Sequence, residues 1–195
     1  MRDFADALAG WEWDVALLQE VPPWFPAPLA AASGADYRTQ LTARNWLLPA
    51  RRAISVRNPD ILKASGGGSN AILVRGAPIL EHRAQRLRRL PEGRWVHGVR
   101  LPDGWVVNVH SHNFPAAFAR ADTERAIAAA RSWRPLLVFG GDINLKQPPA
   151  FAGLLHVAGN HVDHLFTTGR RPAGTPQVLK RGVLSDHPPV AVTLA

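Results

Sequence analysis

A chain of 195 residues, 46% apolar and 19% charged, is long enough to bury a sizeable core and reads as one globular domain over 1–195. It has no cysteine, which excludes a disulfide framework and a thiolate zinc site and suits a reducing cytoplasm, and no apolar run approaches the length of a membrane span. The net charge of +8, nearly all of it arginine, either favours polyanionic partners (nucleic acid or an anionic lipid surface) or reflects a bias toward Arg, Ala, Gly and Pro that runs through the chain.

Phe4, Leu8 and Trp11 recur at helical spacing and predict a helix over 2–10, with Gly10 suited to its end. The first fourteen residues carry three Asp and one Glu and lack a signal-peptide core. Residues 15–19 read as a short buried strand that delivers Glu20, and Val21-Pro22-Pro23 ends it. The stretch 22–50 is rich in Pro, Ala and Trp and holds a short helix at most; a strand follows over 53–56. Gly66-Gly67-Gly68-Ser69 is a turn into a strand over 70–74, and no Gly-Lys-Ser/Thr follows to make it a phosphate-binding loop. Residues 79–87 and 94–101 read as paired strands, and Asp103-Gly104 turns the chain into a strand over 105–110. An Ala-rich helix over 115–131 and strands near 136–139, 163–167, 176–180 and 189–194 complete the chain, without internal repeat, low-complexity tail or domain boundary.

Five short strings fall at the ends of apolar runs: Leu18-Gln19-Glu20, Asn108-Val109-His110, Gly141-Asp142-Ile143-Asn144, Val162-Asp163-His164 and Ser185-Asp186-His187-Pro188. Carboxylates, amides and imidazoles at strand ends are what metal-assisted attack on a phosphate ester needs. Taken singly, each has a plain structural reading. Gly-Asp-x-Asn is a turn, Ser185-Asp186 a loop with local side-chain bonds, and Glu20 a solvated strand end. In this order, from about Asp14 to the C-terminus, the set resembles the endonuclease/exonuclease/phosphatase superfamily, the DNase-I-like fold. Ser-Asp-His-Pro-Pro-Val and Gly-Asp-x-Asn carry most of the likeness, which leaves the substrate open.

The resemblance implies an α/β four-layer sandwich: two mainly antiparallel β-sheets packed face to face, with helices outside. It also implies magnesium, or manganese in its place, held by Glu20 and Asp186. Asp142 then orients or deprotonates the attacking water, and Asn144 holds that water or a phosphoryl oxygen. His187 and Asp163 form an imidazole–carboxylate pair, His110 meets the phosphate or helps the leaving group, and Asn113 and Asn70 contact phosphate or substrate. Whether Asp142 or His187 is the base stays open. The implied activity is hydrolysis of phosphodiester bonds in nucleic acid, as an endonuclease or exonuclease. One alternative is a phosphatase or phosphodiesterase of lipid head groups or small phosphoesters, although no Cys-Asp-Arg motif lies near Asp163. The other is a non-catalytic nucleic-acid-binding or scaffold protein.

Superfamily members usually begin with an Asn-bearing strand ahead of the first helix. This sequence has no counterpart, which should leave apolar surface and unpaired backbone groups exposed in one sheet. Arg83, Arg86, Arg88 and Arg89, with Arg94 nearby, form either a phosphate-tracking surface or a solvated hairpin face. His112, His161 and His164 read as surface or core residues and show no zinc spacing. Of the seven tryptophans, Trp24 and Trp46 lie in loop-like segments and are the candidates for substrate contact; the rest read as core.

Overall fold

The strand Ser69–Val74 is buried along its whole length and apolar from Ala71 to Val74, and two layers of side chains are built from its two faces. Ile72 and Val74 point one way, to Val99, Leu101 and Val106. Ala71 and Leu73 point the other, to Leu8, Leu29 and Ala30. A strand buried on both faces has no polar side to alternate with, so it reads as a continuous apolar run.

The computed structural model describes residues 2–42, 68–180 and 185–195. In chain order the elements are α1 Arg2–Gly10, β1 Val15–Val21, α2 Pro26–Ser33, β2 Asp36–Leu41, β3 Ser69–Val74, β4 Glu81–Arg88, β5 Arg94–Leu101, β6 Gly104–His110, α3 Ala116–Ser132, β7 Leu136–Asp142, β8 Leu155–Asn160, β9 Asp163–Thr167, β10 Gln177–Val178 and β11 Val190–Ala191. A three-stranded antiparallel sheet runs β1-β3-β2, and a six-stranded sheet runs β4-β5-β6-β7-β9-β8. The only parallel pair among the described strands is β6–β7, whose crossover is α3. β10 and β11 pair separately. No helix among the described residues is long and apolar enough to cross a membrane.

The layers follow from the side-chain alternation. Val106 of β6 faces the other sheet, while Trp105, Val107 and Val109 face outward to Ala126, Ile127 and Ala130 of α3. Helices α1 and α2 cover the outer face of the three-stranded sheet through Leu8, Leu29 and Ala30. The result is helix, sheet, sheet, helix, the four-layer α/β sandwich expected from the sequence. Arg75 fastens the helix layer to the end of β3 by donating to the carbonyls of Leu8, Trp11 and Ser33.

Two strands were not anticipated. β2 lies in the stretch expected to hold a short helix at most; that helix is α2, which has Pro26 in its first turn and ends at the left-handed Gly34. Among the described strands β2 is an edge strand of largely polar, partly exposed residues, and β8 is likewise an edge strand, its pairing broken by a register shift. Neither strand carries the continuous apolar run that betrays a buried one. The strand expected over 53–56, the first two glycines of the Gly66 turn and Trp46 lie outside the described residues.

β1 is an edge too, pairing only with β3 among the described residues. Val15, Ala16, Leu17 and Leu18 are half-buried, whereas Ala71, Ile72, Leu73 and Val74 of β3 are buried.

One polar residue crosses between the sheets. Asn108 of β6 donates Nδ2 to the carbonyls of Leu18 and Ala71, 3.0 Å each, and accepts Gln19 Nε2 at 2.7 Å. Losing its side chain strips three buried or part-buried groups of a partner at once. Asn108→Ala is expected to lower the free energy of unfolding in a denaturant titration by about 2–4 kcal/mol. A loss under about 0.5 kcal/mol, the scale of an ordinary surface change, would show that the sheets are aligned by apolar packing alone.

Candidate active site

The bulge in β1 is where the site begins. Leu18 pairs with Ala71 and Val21 with Ser69, so Gln19 and Glu20 together oppose Asn70. Glu20 takes up the extra residue with a φ of 53°, and its N–H points to Asn70 Oδ1 at 3.4 Å. The bulge breaks the alternation. Gln19 turns inward to Asn108, and Glu20 stands exposed with Oε1 3.7 Å from His110 Nδ1.

The neighbouring strands end level with it. His110 of β6 pairs with Asp142 of β7, and Asp142 with Asp163 of β9, so three site residues sit side by side at one end of the six-stranded sheet. The glycines before Asp142 permit this. Gly141 has a φ of 126°, and a Cβ there would collide with the Val109 carbonyl and crowd Asn108 and Gln19. Asp142 then closes a turn by accepting the Asn144 N–H on Oδ1 at 2.9 Å. Asn144 donates Nδ2 to the Ser111 carbonyl at 3.0 Å, which leaves Oδ1 as its free end.

Arg94, buried in β5, donates Nη1 to His110 Nδ1 at 3.0 Å and Nη2 to Glu92 at 2.8 Å. A guanidinium only donates, so Nδ1 accepts and the ring proton of a neutral His110 sits on Nε2, 3.6 Å from Asp142 Oδ2. Burial, then the charge of Arg94, holds the His110 pKa well below its usual value. Its short distances to Glu20 and Asp142 are therefore contacts of a neutral ring and not ion pairs.

Asp142 is the most perturbed carboxyl. Burial first, then the charge of Asp163, pushes its pKa up to about 7; the Asn144 N–H and His187 pull it down, and Glu20 adds to the rise. Asp163 accepts His187 Nδ1 at 2.9 Å. Burial also raises Asp163, against the pull of that bond. For His187 burial acts downward, but the bond and charge of Asp163, with Asp186 and Asp142, outweigh it and the pKa rises. Asp142, Asp163 and His187 together offer ligand atoms within 4.8 Å of one another, a grouping able to hold a metal ion.

The remaining expected residues fall at varied distances from this centre. Asp186 is largely exposed, with Oδ2 3.5 Å from His187 Nε2. Asn70 is buried beneath Glu20, and its Nδ2 has no partner. Asn113 lies exposed in the loop after β6. His164 bonds the Leu145 carbonyl and His156, and His161 stacks on His187. Trp24 is half-buried ahead of α2, while Trp105 and Trp133 are core. Of the arginine run, Arg88 is spent on the buried Asp122 and Arg94 on Glu92 and His110, while Arg83 pairs with Glu81.

Sequence reasoning missed Arg94 as the partner of His110. It also missed Asp122 and Thr123 of α3, which pin the loop after β6. Asp122 accepts the His112 N–H, and Thr123 shares a hydrogen bond with Ser111. A buried Asp in an Ala-rich helix was the one available signal.

No protein-family model matches the sequence, and no curated protein matches it. Solved structures match by shape. An endonuclease/exonuclease/phosphatase family protein from Bacteroides thetaiotaomicron superposes with a TM-score of 0.67 at 16% identity, over 98% of this chain and 87% of that one. A mannosyl-6-phosphatase from the same organism gives 0.69 at 16%, over 99% and 89%. TDP2 from D. rerio, complexed with a single-strand DNA product, gives 0.65 at 14%, over 100% and 90%. The chain has the DNase-I-like fold of these endonuclease/exonuclease/phosphatase proteins.

The raised Asp142 pKa has a consequence for stability. The folded state holds that proton more tightly than the unfolded chain, so the stabilisation is full below the unfolded value near 4 and is lost as pH rises through about 7. Asp142→Asn, which mimics the neutral acid, is expected to melt several degrees above the wild type at pH 8 in chelator, a difference on the order of a few kcal/mol. The gap should narrow at pH 5 and close only below about pH 4, under the unfolded value. Equal melting temperatures at pH 8 would mean that the carboxylate is not strained.

Proposed function

We propose that the chain is a divalent-metal-dependent phosphoesterase that hydrolyses phosphodiester bonds of nucleic acid. The observation that carries this reading is the buried Asp142 carboxyl, held beside the Asp163–His187 pair and the neutral His110. A carboxyl with a pKa near 7 is a competent base at neutral pH, where an ordinary aspartate is a weak one. Asp142 takes the proton of the attacking water, and the Oδ1 of Asn144 accepts the water's other hydrogen. His187, kept protonated by Asp163 on Nδ1, presents Nε2–H to a phosphoryl oxygen. His110, fixed by Arg94, presents its own Nε2–H beside Asp142 without adding charge.

The donor set suits a hard divalent cation. Several carboxylates converge on one end of the sheet, and burial together with mutual repulsion raises Asp142. The nearest guanidinium, Arg94, is already bonded to Glu92 and His110. The superfamily resemblance assigns the ion to Glu20 and Asp186, while Asp142, Asp163 and His187 offer a second grouping of ligand atoms within 4.8 Å of one another. Such an ion neutralises the phosphate and polarises its oxygen.

The net charge of +8 and the DNA-bound TDP2 neighbour favour nucleic acid. A specific observation favours a second reading, a phosphatase of small phosphoesters. Three arginines of the basic run are neutralised within the protein, and one structural neighbour is a sugar phosphatase.

Nicking of supercoiled plasmid is expected with magnesium and not with chelator, and Asp142→Ala and His187→Ala should each slow it by about 10²–10⁴-fold with the fold intact. Full activity in either variant removes that residue from the mechanism. Absence of nicking together with turnover of a phosphomonoester moves the assignment to the second reading. Glu20→Gln is expected to weaken manganese binding in a calorimetric titration at least tenfold; an unchanged isotherm excludes Glu20 as a ligand.

A further inference from the structure

The order β4-β5-β6-β7-β9 gives the site two unlike flanks. Asp163 and His187 stand on the β9 side. On the β4 side, two apolar side chains stand out into solvent beside the site. Leu90 lies in the turn joining β4 to β5, between Arg88 and the Arg94 that holds His110. Phe114 lies in the loop after β6, whose Ser111 carbonyl holds Asn144. Each is 78% exposed, the highest among the exposed large apolar residues.

Single exposed apolar residues are ordinary on a protein surface. These two differ in three ways. First, they share a flank with Phe118, which is 37% exposed, lies under the Arg88 guanidinium at 4.1 Å and meets the His112 ring edge-on at 5.7 Å. Second, the Phe114 loop is held from below. His112 N–H donates to Asp122, Ser111 bonds Thr123, and the Phe114 N–H donates to His112 Nδ1. The ring is thus presented on a fixed backbone and needs little ordering on binding. Third, cations accompany it. Arg89 is exposed and in no ion pair among the described residues, and Arg86 lies on Trp95 at 4.7 Å farther along the same edge.

We propose that this flank is a subsite for the unpaired nucleic-acid strand adjoining the scissile phosphate, with a base stacked on Phe114, its neighbour against Leu90, and a backbone phosphate on Arg89. The substrate class rests on the phosphodiesterase reading above. Flat rings and cations alternating along one edge suit stacked bases joined by phosphates. A single sugar phosphate offers one ring and one phosphate, too few to match a row of ring, apolar side chain and cation. A lipid surface would engage apolar tips but has no use for guanidinium groups laid flat on rings.

The test is a binding measurement that needs no turnover. Fluorescence anisotropy of a labelled single-stranded oligodeoxynucleotide of about 12 nucleotides would be followed in chelator for the wild type, Phe114→Ala, Leu90→Ala and Arg89→Ala. Val178→Ala, which removes an exposed apolar side chain on β10, is the control. Phe114→Ala is expected to weaken binding about tenfold and to abolish the quenching of a 2-aminopurine in the oligonucleotide. Arg89→Ala should flatten the salt dependence, and Val178→Ala should bind as the wild type does. Wild-type affinity in Phe114→Ala overturns the subsite. So does a wild type that hydrolyses phosphoesters but binds no oligonucleotide, which leaves the phosphoesterase reading standing. Binding to anionic phospholipid vesicles in place of the oligonucleotide overturns it as well. Tight oligonucleotide binding that Phe114→Ala abolishes, in a protein that cleaves nothing, supports the subsite and removes the phosphodiesterase reading instead.

Discussion

The carboxamide of Asn108 is the joint on which the two sheets are aligned. It grips β1 at Leu18 and β3 at Ala71 through their carbonyls and receives Gln19 on its oxygen. Three candidate site residues lie one or two positions from that joint: Glu20 past Leu18, Asn70 before Ala71, and His110 past Asn108. Asp142 and Asp163 follow from strand register alone. Apolar layers such as Ile72 against Val106 are non-directional and tolerate a small slide between sheets. A carboxamide with three partners does not, so a single polar residue fixes the spacing between the Glu20 strand and the His110 and Asp142 strands.

The candidate site departs from ordinary backbone geometry at three of its positions. Glu20 and Asn144 are both left-handed, and Gly141 has a φ of 126°. In each case the departure re-aims a group. The bulge swings Glu20 out of the strand alternation, and the turn after Asp142 brings Asn144 back to Ser111. Such conformations persist only where surrounding contacts over-determine them, and here those contacts come from Asn70, Ser111 and the Asn108 joint.

Much of this was legible in the sequence because it rests on pattern. The apolar run of β3 from Ala71 to Val74, the largely apolar β6 ending in His110 and the helical spacing in α1 locate elements that bury whole faces. The five strings mark where those elements end. Polar edge strands such as β2 leave no such trace. Nor do pairings across a sheet: nothing near Arg94 in sequence ties it to His110, and nothing near Asp122 ties it to Arg88. Net charge misleads for the same reason. Sequence counts Arg88 and Arg94 as cations available to a polyanion, whereas folding commits both to internal partners.

The bulge that aims Glu20 also governs what the edge of β1, which has no second partner among the described residues, can do. An unpaired apolar strand is a template on which a second chain can zip. Here the template is cut short. The regular register runs from Val15 to Leu18 and is broken before Val21, and the residue that breaks it carries a charge. Added strands would find four residues of continuous ladder and then a carboxylate. The side chain proposed to hold the metal therefore also stands as the stop that keeps the edge from growing.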